Sequence, residues 1–330
     1  MQTAFGGQMN VSKPPQSVLS PPNAPSGARR PRRSSRENSF MLGQGGSGDA
    51  LGTWVLIMLL GAGGGLVPGI LAYTGRWRRW YQPVDSPIRY APLVAARGGR
   101  VVLQVYARVV PLLTQLPGVA AIIDTDSALP PFDVHCSLLS LPRVFGTDLD
   151  SIPAAVPYLT VPADRLAQWR RKLGPRKGLR VGVAWSGNTN HRDDARRSIP
   201  FDVFRTVLTD RPDMEFHVLQ NELRAPDRAA LREMPHVRNH ADVPQDFGDA
   251  GALVSLMDVV ISVDTSIAHL AGALDRPVWL LLAHLADWRW LLERDDSPWY
   301  PSMWLLRQQK RGDWFGVLSV VASRLEEMPT

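Results

Sequence analysis

Three consecutive residues with oxygen-bearing side chains, Asp264, Thr265 and Ser266, lie where an apolar strand ends and a helix should begin. The first N–H groups of a helix are unpaired and its dipole favours anions, so this corner can bind a phosphate. His269 lies one helical turn further along, close enough to face the same corner. These residues therefore predict a nucleotide-diphosphate site in an α/β protein.

The same residues also have a plainer interpretation. Asp and Thr before a helix are common N-caps. A single histidine inside a helix is more often solvated or part of the core than a ligand. The choice between the two interpretations depends on what the other predicted strand ends carry.

Small polar residues follow other predicted strands in the second half of the chain. One strand opens into Ser186, Gly187 and Asn188, and another ends at Gln220. In open α/β sheets, ligands bind beyond the carboxyl ends of the strands. We therefore expect these residues to gather with the corner at Asp264, where Gly187 would let a ligand approach the backbone closely.

Positive charge is available beside these strand ends. Arg192, Arg196 and Arg197 lie in one loop, and an arginine fork matches a phosphate without a metal. The alternative is a solvated loop. We find no paired carboxylates shaped for magnesium and no P-loop, so the sequence predicts a site that needs no metal.

A cluster of aromatic residues lies near the C-terminus. Trp288, Trp290, Trp299 and Trp304 occur close to acidic residues. Aromatic and acidic side chains together suit a sugar-binding wall, through stacking and hydroxyl hydrogen bonds. Packing of a C-terminal loop across the sheet is the alternative, and it is the interpretation we favour.

Composition limits the other classes of function. The 330 residues are 45% hydrophobic, enough for two domains with a real core. Cys136 is the only cysteine, so an intramolecular disulfide is excluded. The net charge of +6 resides entirely in residues 1–85 and leaves 86–330 neutral. We therefore do not expect nucleic acid as a partner.

The order of the predicted elements indicates an α/β fold with parallel strands. Strands are predicted at 101–105, 119–123, 179–185, 216–219, 259–263 and 278–282, and residues 133–142 are predicted to continue from a strand into a loop. Helices are predicted at 90–96, 109–116, 164–173, 201–208, 251–257, 267–274 and 314–327. We divide the chain into a disordered basic tail (1–50), an apolar segment (51–80), an incomplete N-terminal Rossmann-like domain (81–160), a linker (161–178) and a C-terminal Rossmann-like domain (179–330).

The apolar segment has two interpretations. Residues 51–75 carry no charged side chain, and they are long enough for a membrane anchor. Gly61 to Gly65 and Pro68 weaken a helix there, so a Gly-rich turn region packed on the domain is the alternative.

Several motifs resemble a known family when they are taken together. They are Val183-Ala-Trp-Ser-Gly-Asn188, Arg197-Ser-Ile-Pro200 and the Asp-Thr-x-x-x-His-x-Ala pattern that begins at Asp264. The chain resembles, over about residues 89–330, the glycosyltransferase family 9 (heptosyltransferase-like) domain of bacterial tetratricopeptide-repeat glycosyltransferases.

This resemblance implies a GT-B fold of two Rossmann-like domains, the N-terminal one incomplete in this chain. It implies an inverting enzyme that transfers a sugar from a nucleotide-sugar donor to a protein or glycan acceptor, without a metal or cofactor. It also implies a location in the cytoplasm or at the cytoplasmic face of the inner membrane. By the motif match, the donor site would be lined by Asp264, Thr265, Ser266 and His269, while Ser186, Gly187, Asn188, Arg197 and Gln220 would contact the phosphates or the base.

One departure from the family concerns catalysis. Its N-terminal domain normally opens with a strand and a Gly-x-Gly-Asp loop, but residues 80–88 show no such loop. Asp85 lies nearby, although Pro83 and Pro87 oppose the loop-to-helix geometry. The general base is therefore unassigned. A catalytically impaired nucleotide-binding relative and a membrane-tethered adaptor remain alternatives to an active transferase.

Overall fold

In the computed structural model, the described residues are 54–58, 86–191, 193–243 and 246–328. The chain divides into units 1–49 and 50–330, and every described residue belongs to the second unit. The predicted disordered tail (1–50) lies outside the described residues, as do Arg192 and Asp85.

The N-terminal lobe is built on a four-stranded parallel sheet. Its strands are β1 (Trp54–Met58), β2 (Arg100–Val105), β3 (Val119–Asp124) and β4 (Val134–Ser137), in the order β3-β2-β1-β4. The helices are α1 (Ala91–Ala96), α2 (Val110–Leu113) and α3 (Leu141–Val144), with 3-10 turns at Ser86–Tyr90, Ala107–Val109 and Leu138–Ser140.

Strand β1 corrects the predicted domain boundary. It lies inside the sheet, where Val55 pairs with both Val101 and Val134. The N-terminal lobe therefore includes residues before 81, and 54–58 form a strand instead of the first turns of a membrane helix. Such a short apolar run is typical of a strand buried in a parallel sheet, but periodicity alone does not separate it from a buried helix.

The remainder of the predicted apolar segment, residues 51–53 and 59–80, lies outside the described residues. Within the part of the chain that the structure describes, no helix combines the length and apolar character that a membrane crossing requires.

The C-terminal lobe is built on a six-stranded parallel sheet of order β10-β9-β8-β5-β6-β7. Its strands are β5 (Leu179–Ala184), β6 (Met214–Val218), β7 (Val237–Asn239), β8 (Val259–Val263), β9 (Val278–Leu282) and β10 (Met303–Arg307). Its helices are α4 (Ala163–Leu173), α5 (Asp194–Arg197), α6 (Phe201–Phe204), α7 (Ala225–Arg232), α8 (Phe247–Ser255), α9 (Ser266–Ala273) and α10 (Trp314–Glu327), with 3-10 turns at Arg205–Val207 and Trp288–Trp290.

The chain order reverses in the middle of this sheet. From β5 the chain proceeds outward through β6 and β7, and β8 then returns to pair with the other side of β5. Such a switch point opens a crevice at the carboxyl ends of the two central strands. The loops that begin at Trp185 and Asp264 flank this crevice.

The predicted linker (161–178) contains helix α4, which packs on α8. Arg165 and Trp169 of α4 both donate hydrogen bonds to the Asp249 carboxylate, at 3.1 Å. The two lobes also share one apolar core. A Cβ at Gly251 of α8 would lie 2.9 Å from a methyl carbon of Leu112 in α2, which shows how closely the lobes approach.

Candidate functional site

A cavity of about 480 Å³ lies between the two lobes, at the carboxyl ends of their strands. The C-terminal lobe contributes the loop after β5, the start of α9 and the residues after β6. The N-terminal lobe contributes the residues that follow β2 and β3. The lining includes Tyr106, Arg108, Asp124, Asp126, Ser186, Gly187, Asn188, Arg197, Gln220, Glu222, Thr265 and Ser266.

Gln220 holds the loop that follows β5. Its Oε1 accepts hydrogen bonds from the backbone N–H groups of Trp185, at 2.9 Å, and Ser186, at 3.2 Å. Its Nε2 donates to Ser186 Oγ and to the carbonyl of Glu222, both at 3.0 Å. All four of these hydrogen bonds are made within the protein, so Gln220 shapes the cavity wall by fixing the position of Ser186.

A second set of hydrogen bonds fixes the other end of this loop. Ser198 Oγ accepts from the backbone N–H of Gly187, at 3.2 Å, and donates to the buried Asp194 carboxylate, at 2.7 Å. Arg224 donates to the other oxygen of Asp194, at 2.6 Å. Asn188 Oδ1 accepts from the backbone N–H of Asn190, at 2.8 Å, so a local turn sets its orientation.

Arg197 crosses directly over Gly187. A Cβ at position 187 would lie 2.4 Å from Arg197 Nη2, so only glycine leaves room for the guanidinium. Arg197 Nη1 donates to the backbone carbonyl of Asp264, at 2.7 Å. Its buried Nε has no hydrogen-bond partner among the residues that the structure describes. Burial lowers the pKa of Arg197, and Asp264, Asp194 and Asp193 partly offset this shift. An arginine remains charged at neutral pH, so the cavity contains a fixed cation.

A second cavity, of about 260 Å³, adjoins the first on the other side of Arg197. Arg197 lines both cavities, whereas Asp264 and His269 line only the second one. Its remaining lining residues are His191, Asp193, Arg196, Leu282, Ala283, Leu285, Ala286, Asp287 and Arg289.

His269 is held on three sides. Its Nδ1 lies 3.0 Å from the Tyr300 hydroxyl, its Nε2 lies 3.7 Å from Asp264 Oδ1, and its ring stacks on Trp290 at 5.2 Å between centroids. Burial alone would raise the pKa of Asp264, but His269, the Trp290 indole and Arg197 outweigh it and hold that pKa below its usual value. Trp290 Nε1 makes no hydrogen bond to any of the described residues. We therefore ascribe the lowered pKa of Asp264 mainly to His269 and Arg197.

The predicted site residues thus meet around two adjoining cavities, not one. Ser186, Gly187, Asn188, Arg197, Gln220, Thr265 and Ser266 line the cavity between the lobes. Asp264 and His269 line the second cavity, on the other side of Arg197. Thr265 Oγ1 lies 3.1 Å from Ser262 Oγ and makes no capping hydrogen bond to α9.

The tryptophan cluster is mainly a packing feature. Trp290 and Trp299 are buried, and Trp304 lies in β10 with the Arg324 guanidinium over its ring. Trp288 is exposed and packs against Trp299. None of these four lines either cavity.

The N-terminal side of the main cavity was missed in the sequence analysis. Tyr106 and Arg108 follow β2, while Asp124 and Asp126 stand at or just beyond the end of β3. Asp124 Oδ1 accepts from the backbone N–H of Ala107 and from Thr125 Oγ1, both at 3.1 Å. Ligands bind beyond the carboxyl ends of parallel strands, which is why Ser186 and Gln220 were predicted. The same principle points to these residues at the ends of β2 and β3.

Within the described ranges, no group of three or more His, Cys, Asp or Glu side chains is arranged to hold a metal ion. The positive charge at the site comes from arginines. Arg196, Arg197 and Arg289 line the second cavity, and Arg108 and Arg197 line the first.

Comparison with known proteins identifies similar sequences and folds. Residues 244–283, a range that includes Asp264, match the sequence model of glycosyltransferase family 9 (heptosyltransferase). Protein FlbA of Caulobacter vibrioides is 28% identical over 185 residues, which cover 54% of this chain. The chain spans only 30% of the length of that curated relative.

Solved structures show where this architecture occurs. The ADP-heptose LPS heptosyltransferase II of E. coli matches with a TM-score of 0.52 at 13% identity, covering 83% of this chain and all of that one. E. coli heptosyltransferase WaaC with ADP-2-deoxy-2-fluoro heptose matches with a TM-score of 0.52 at 11% identity, covering 84% and 100%. A family 9 glycosyl transferase of Veillonella parvula gives 0.55 at 7% identity, covering 84% and 90%.

The predicted fold class is confirmed. This chain has the α/β fold of the GT-B heptosyltransferases, with two parallel-sheet lobes and a cavity between them. The family 9 match supports a glycosyltransferase.

Proposed function

We propose that this chain transfers a sugar from a nucleotide-diphosphate sugar to an acceptor hydroxyl, with inversion and without a metal. The observation that carries the proposal is the position of Arg197. Its guanidinium lines both cavities at the switch point of the C-terminal sheet, beside the N-terminus of α9. A diphosphate bound there would meet a half-buried cation together with the backbone N–H groups at the start of a helix.

The donor class rests on this geometry and on the comparisons. The family 9 match spans the start of α9, and the similar WaaC structure was solved with ADP and with an ADP-heptose analogue. We infer that the C-terminal lobe binds the nucleoside diphosphate and that the sugar faces the N-terminal lobe.

The chemistry follows from this placement. The acceptor oxygen attacks the anomeric carbon, and the carbon–oxygen bond to the diphosphate breaks. The electron pair of that bond leaves on the diphosphate, whose added negative charge Arg197 and the first turn of α9 would stabilise. The acceptor proton passes to a base, and one direct displacement inverts the anomeric centre.

A carboxylate of the N-terminal lobe would serve as that base. Asp124 and Asp126 are the N-terminal carboxylates that line the cavity in the described part of the chain. We favour Asp124, because the Ala107 N–H and the Thr125 hydroxyl both hold Oδ1 and so fix the direction of the carboxyl group.

A product-release assay tests the proposal. The chain is incubated with a panel of ADP-, UDP- and GDP-sugars and candidate protein or glycan acceptors, with and without EDTA. We expect release of one nucleoside diphosphate, EDTA-insensitive, and NMR of the product should show an inverted anomeric centre. Nucleotide binding without turnover on any donor and acceptor would contradict the transferase proposal.

The acceptor and the location belong to the same proposal. We propose a protein or glycan acceptor and a reaction in the cytoplasm or at the cytoplasmic face of the inner membrane. Fractionation of cells expressing the chain tests the location, and recovery in the periplasm would contradict it.

A further inference from the structure

A single buried arginine of the N-terminal lobe reaches into the C-terminal lobe. Arg89, in the turn Ser86–Tyr90, is 5% exposed. Its Nη1 donates to the carbonyl of Pro153, at 2.5 Å, and to the carbonyl of Trp299, at 2.9 Å. Trp299 lies just before β10, so this side chain ties the two lobes together.

Arg89 is buried among aromatic rings instead of carboxylates. The guanidinium carbon lies 4.4 Å from the centre of the Tyr158 ring and 5.2 Å from that of Tyr300. Its Nε and Nη2 atoms are buried without a hydrogen-bond partner in the structure. Burying a cation this way is costly, and cation–π contacts offset only part of the cost. Stability alone is therefore a poor explanation for an arginine here.

Contacts continue from Arg89 to the proposed donor corner. The hydroxyl of Tyr300, beside Arg89, lies 3.0 Å from His269 Nδ1, and His269 Nε2 lies 3.7 Å from Asp264 Oδ1. The Tyr300 ring is fully buried and packs directly on Gly272 of α9, where a Cβ would come within 2.6 Å of it. A shift of Arg89 would therefore be transmitted through Tyr300 to His269 and Asp264.

We propose that Arg89 is a positioning residue that couples the docking of the two lobes to nucleotide binding at the Asp264 corner. Arg89 lines neither cavity, so its effect on the ligand is indirect. This inference rests on the proposed function, because it requires a nucleotide in the cavities. Coupling is reciprocal: if Arg89 strengthens nucleotide binding, the nucleotide must strengthen the docking of the Arg89 segment by the same factor.

Hydrogen exchange measured by mass spectrometry tests this reciprocity. The probe is whichever of ADP, UDP and GDP binds the whole chain in a titration. In the wild type, we expect the bound nucleotide to slow amide exchange in residues 86–97, which lie outside both cavities. Tyr300→Phe removes the hydroxyl and keeps the ring, so it should abolish this slowing while nucleotide at saturating concentration still binds.

Affinity provides the second measurement. Arg89→Met should weaken nucleotide binding about tenfold, within the usual range of coupling energies. Arg89→Lys keeps a donor for both carbonyls and should restore most of the affinity. The double variant with Tyr300→Phe should lose no more than the larger single loss, because both changes break one chain of contacts.

Arg238→Met is the matched control. Arg238 also ties two elements, through the Leu173 carbonyl and Glu215, but lines neither cavity. It should leave both affinity and exchange in 86–97 unchanged. If nucleotide binds but 86–97 exchange equally fast with and without it, the coupling is wrong and the proposed function survives. If no nucleotide binds, the proposed function fails first. Should Arg89→Met not fold, Tyr300→Phe alone decides.

Discussion

The Arg197 guanidinium donates a 2.7 Å hydrogen bond to the backbone carbonyl of Asp264. This bond joins the loops that follow β5 and β8, the neighbouring strands at which the sheet order reverses. It also places one cation in the wall between the two cavities. The proposed diphosphate site depends on this relationship.

Gly187→Ala should displace Arg197. The added Cβ would stand 2.4 Å from Nη2 and 2.8 Å from Cζ, so the guanidinium must leave its bond to Asp264. We expect a nucleotide affinity about tenfold weaker, because a hydrogen bond to a charged group contributes about 1.5–3 kcal/mol. Calorimetry measures this loss. In an Arg197→Met background, the same alanine should change the affinity little, and additive losses would show that the two residues act separately.

Gln220→Ala should lower stability more than it changes the chemistry of the site. Four hydrogen bonds of the buried amide are lost, leaving the Trp185 N–H, among others, without a partner. An unsatisfied buried group costs about 1–3 kcal/mol, so the free energy of unfolding should fall by at least that much. Denaturant unfolding measures it. Gln220→Glu keeps the acceptor and should lose less than alanine, whereas an alanine variant of unchanged stability would contradict the assigned role.

Asp124→Asn should abolish transfer while nucleotide binding persists. If Asp124 accepts the proton of the acceptor hydroxyl, kcat should fall by about 10²–10⁴-fold, the usual contribution of a general base. Asp126→Asn, at an exposed carboxylate lining the same cavity, is the matched control and should retain most activity. The opposite ranking would assign the base to Asp126.

The stability of the fold should decrease as the pH falls from about 6.5 to 4. His217 and His240 are buried with their rings stacked, and Nδ1 of His217 lies 3.1 Å from Nε2 of His240. Burial, together with neighbouring positive charge, lowers the pKa of His217 to about 3 and that of His240 to about 4. In the unfolded chain both imidazoles become protonated below about pH 6.5, whereas in the folded chain they stay neutral until the pH approaches 4. Each imidazole should thus remove on the order of 1 kcal/mol of stability per pH unit.

The contribution of this pair can be separated from the others. His191, whose pKa burial and Arg197 also lower, acts in the same direction, and His191→Gln removes its share. Because the pKa of Asp264 is lower in the folded chain than in the unfolded chain, its carboxylate stabilises the fold at pH values above the unfolded pKa. That contribution is lost only as the pH falls through the folded pKa, below the range in which the histidines titrate. Denaturant unfolding of His217→Phe/His240→Phe should show a flatter profile between pH 6.5 and 4. An unchanged slope would exclude the pair as its source.

The sequence predicted the C-terminal lobe well, because its strands are uninterrupted apolar runs between clear turn signals. Strands 259–263 and 278–282 and helix 314–327 lie where expected. Helix α7 was missed because it is only eight residues long and Leu231 is its only large apolar side chain. Strand β10 was missed because Trp304 was grouped with the other C-terminal tryptophans, for which we favoured a loop packed across the sheet.

Contacts between distant elements were beyond sequence reasoning. Residues 54–58 read as part of a longer apolar run, and only the pairing with β2 and β4 shows that they are a strand. The residue types at positions 220 and 269 indicated a site. They did not show that the Gln220 amide would hydrogen-bond to Ser186 or that the Tyr300 hydroxyl would contact His269. Such partners are set by side-chain direction in the folded chain, which the spacing of residues does not determine.

Titration calorimetry of the whole chain with ADP, UDP and GDP tests the central claim most directly. At least one nucleotide should bind. Arg197→Met should weaken it about tenfold or more, because a charge-assisted contact is lost. Asp264→Ala, which removes the carboxylate beside His269 Nε2, should weaken it as well. The distant Arg238→Met variant should bind as the wild type does. A folded chain that binds none of the three, or that binds equally well without Arg197, would contradict the account.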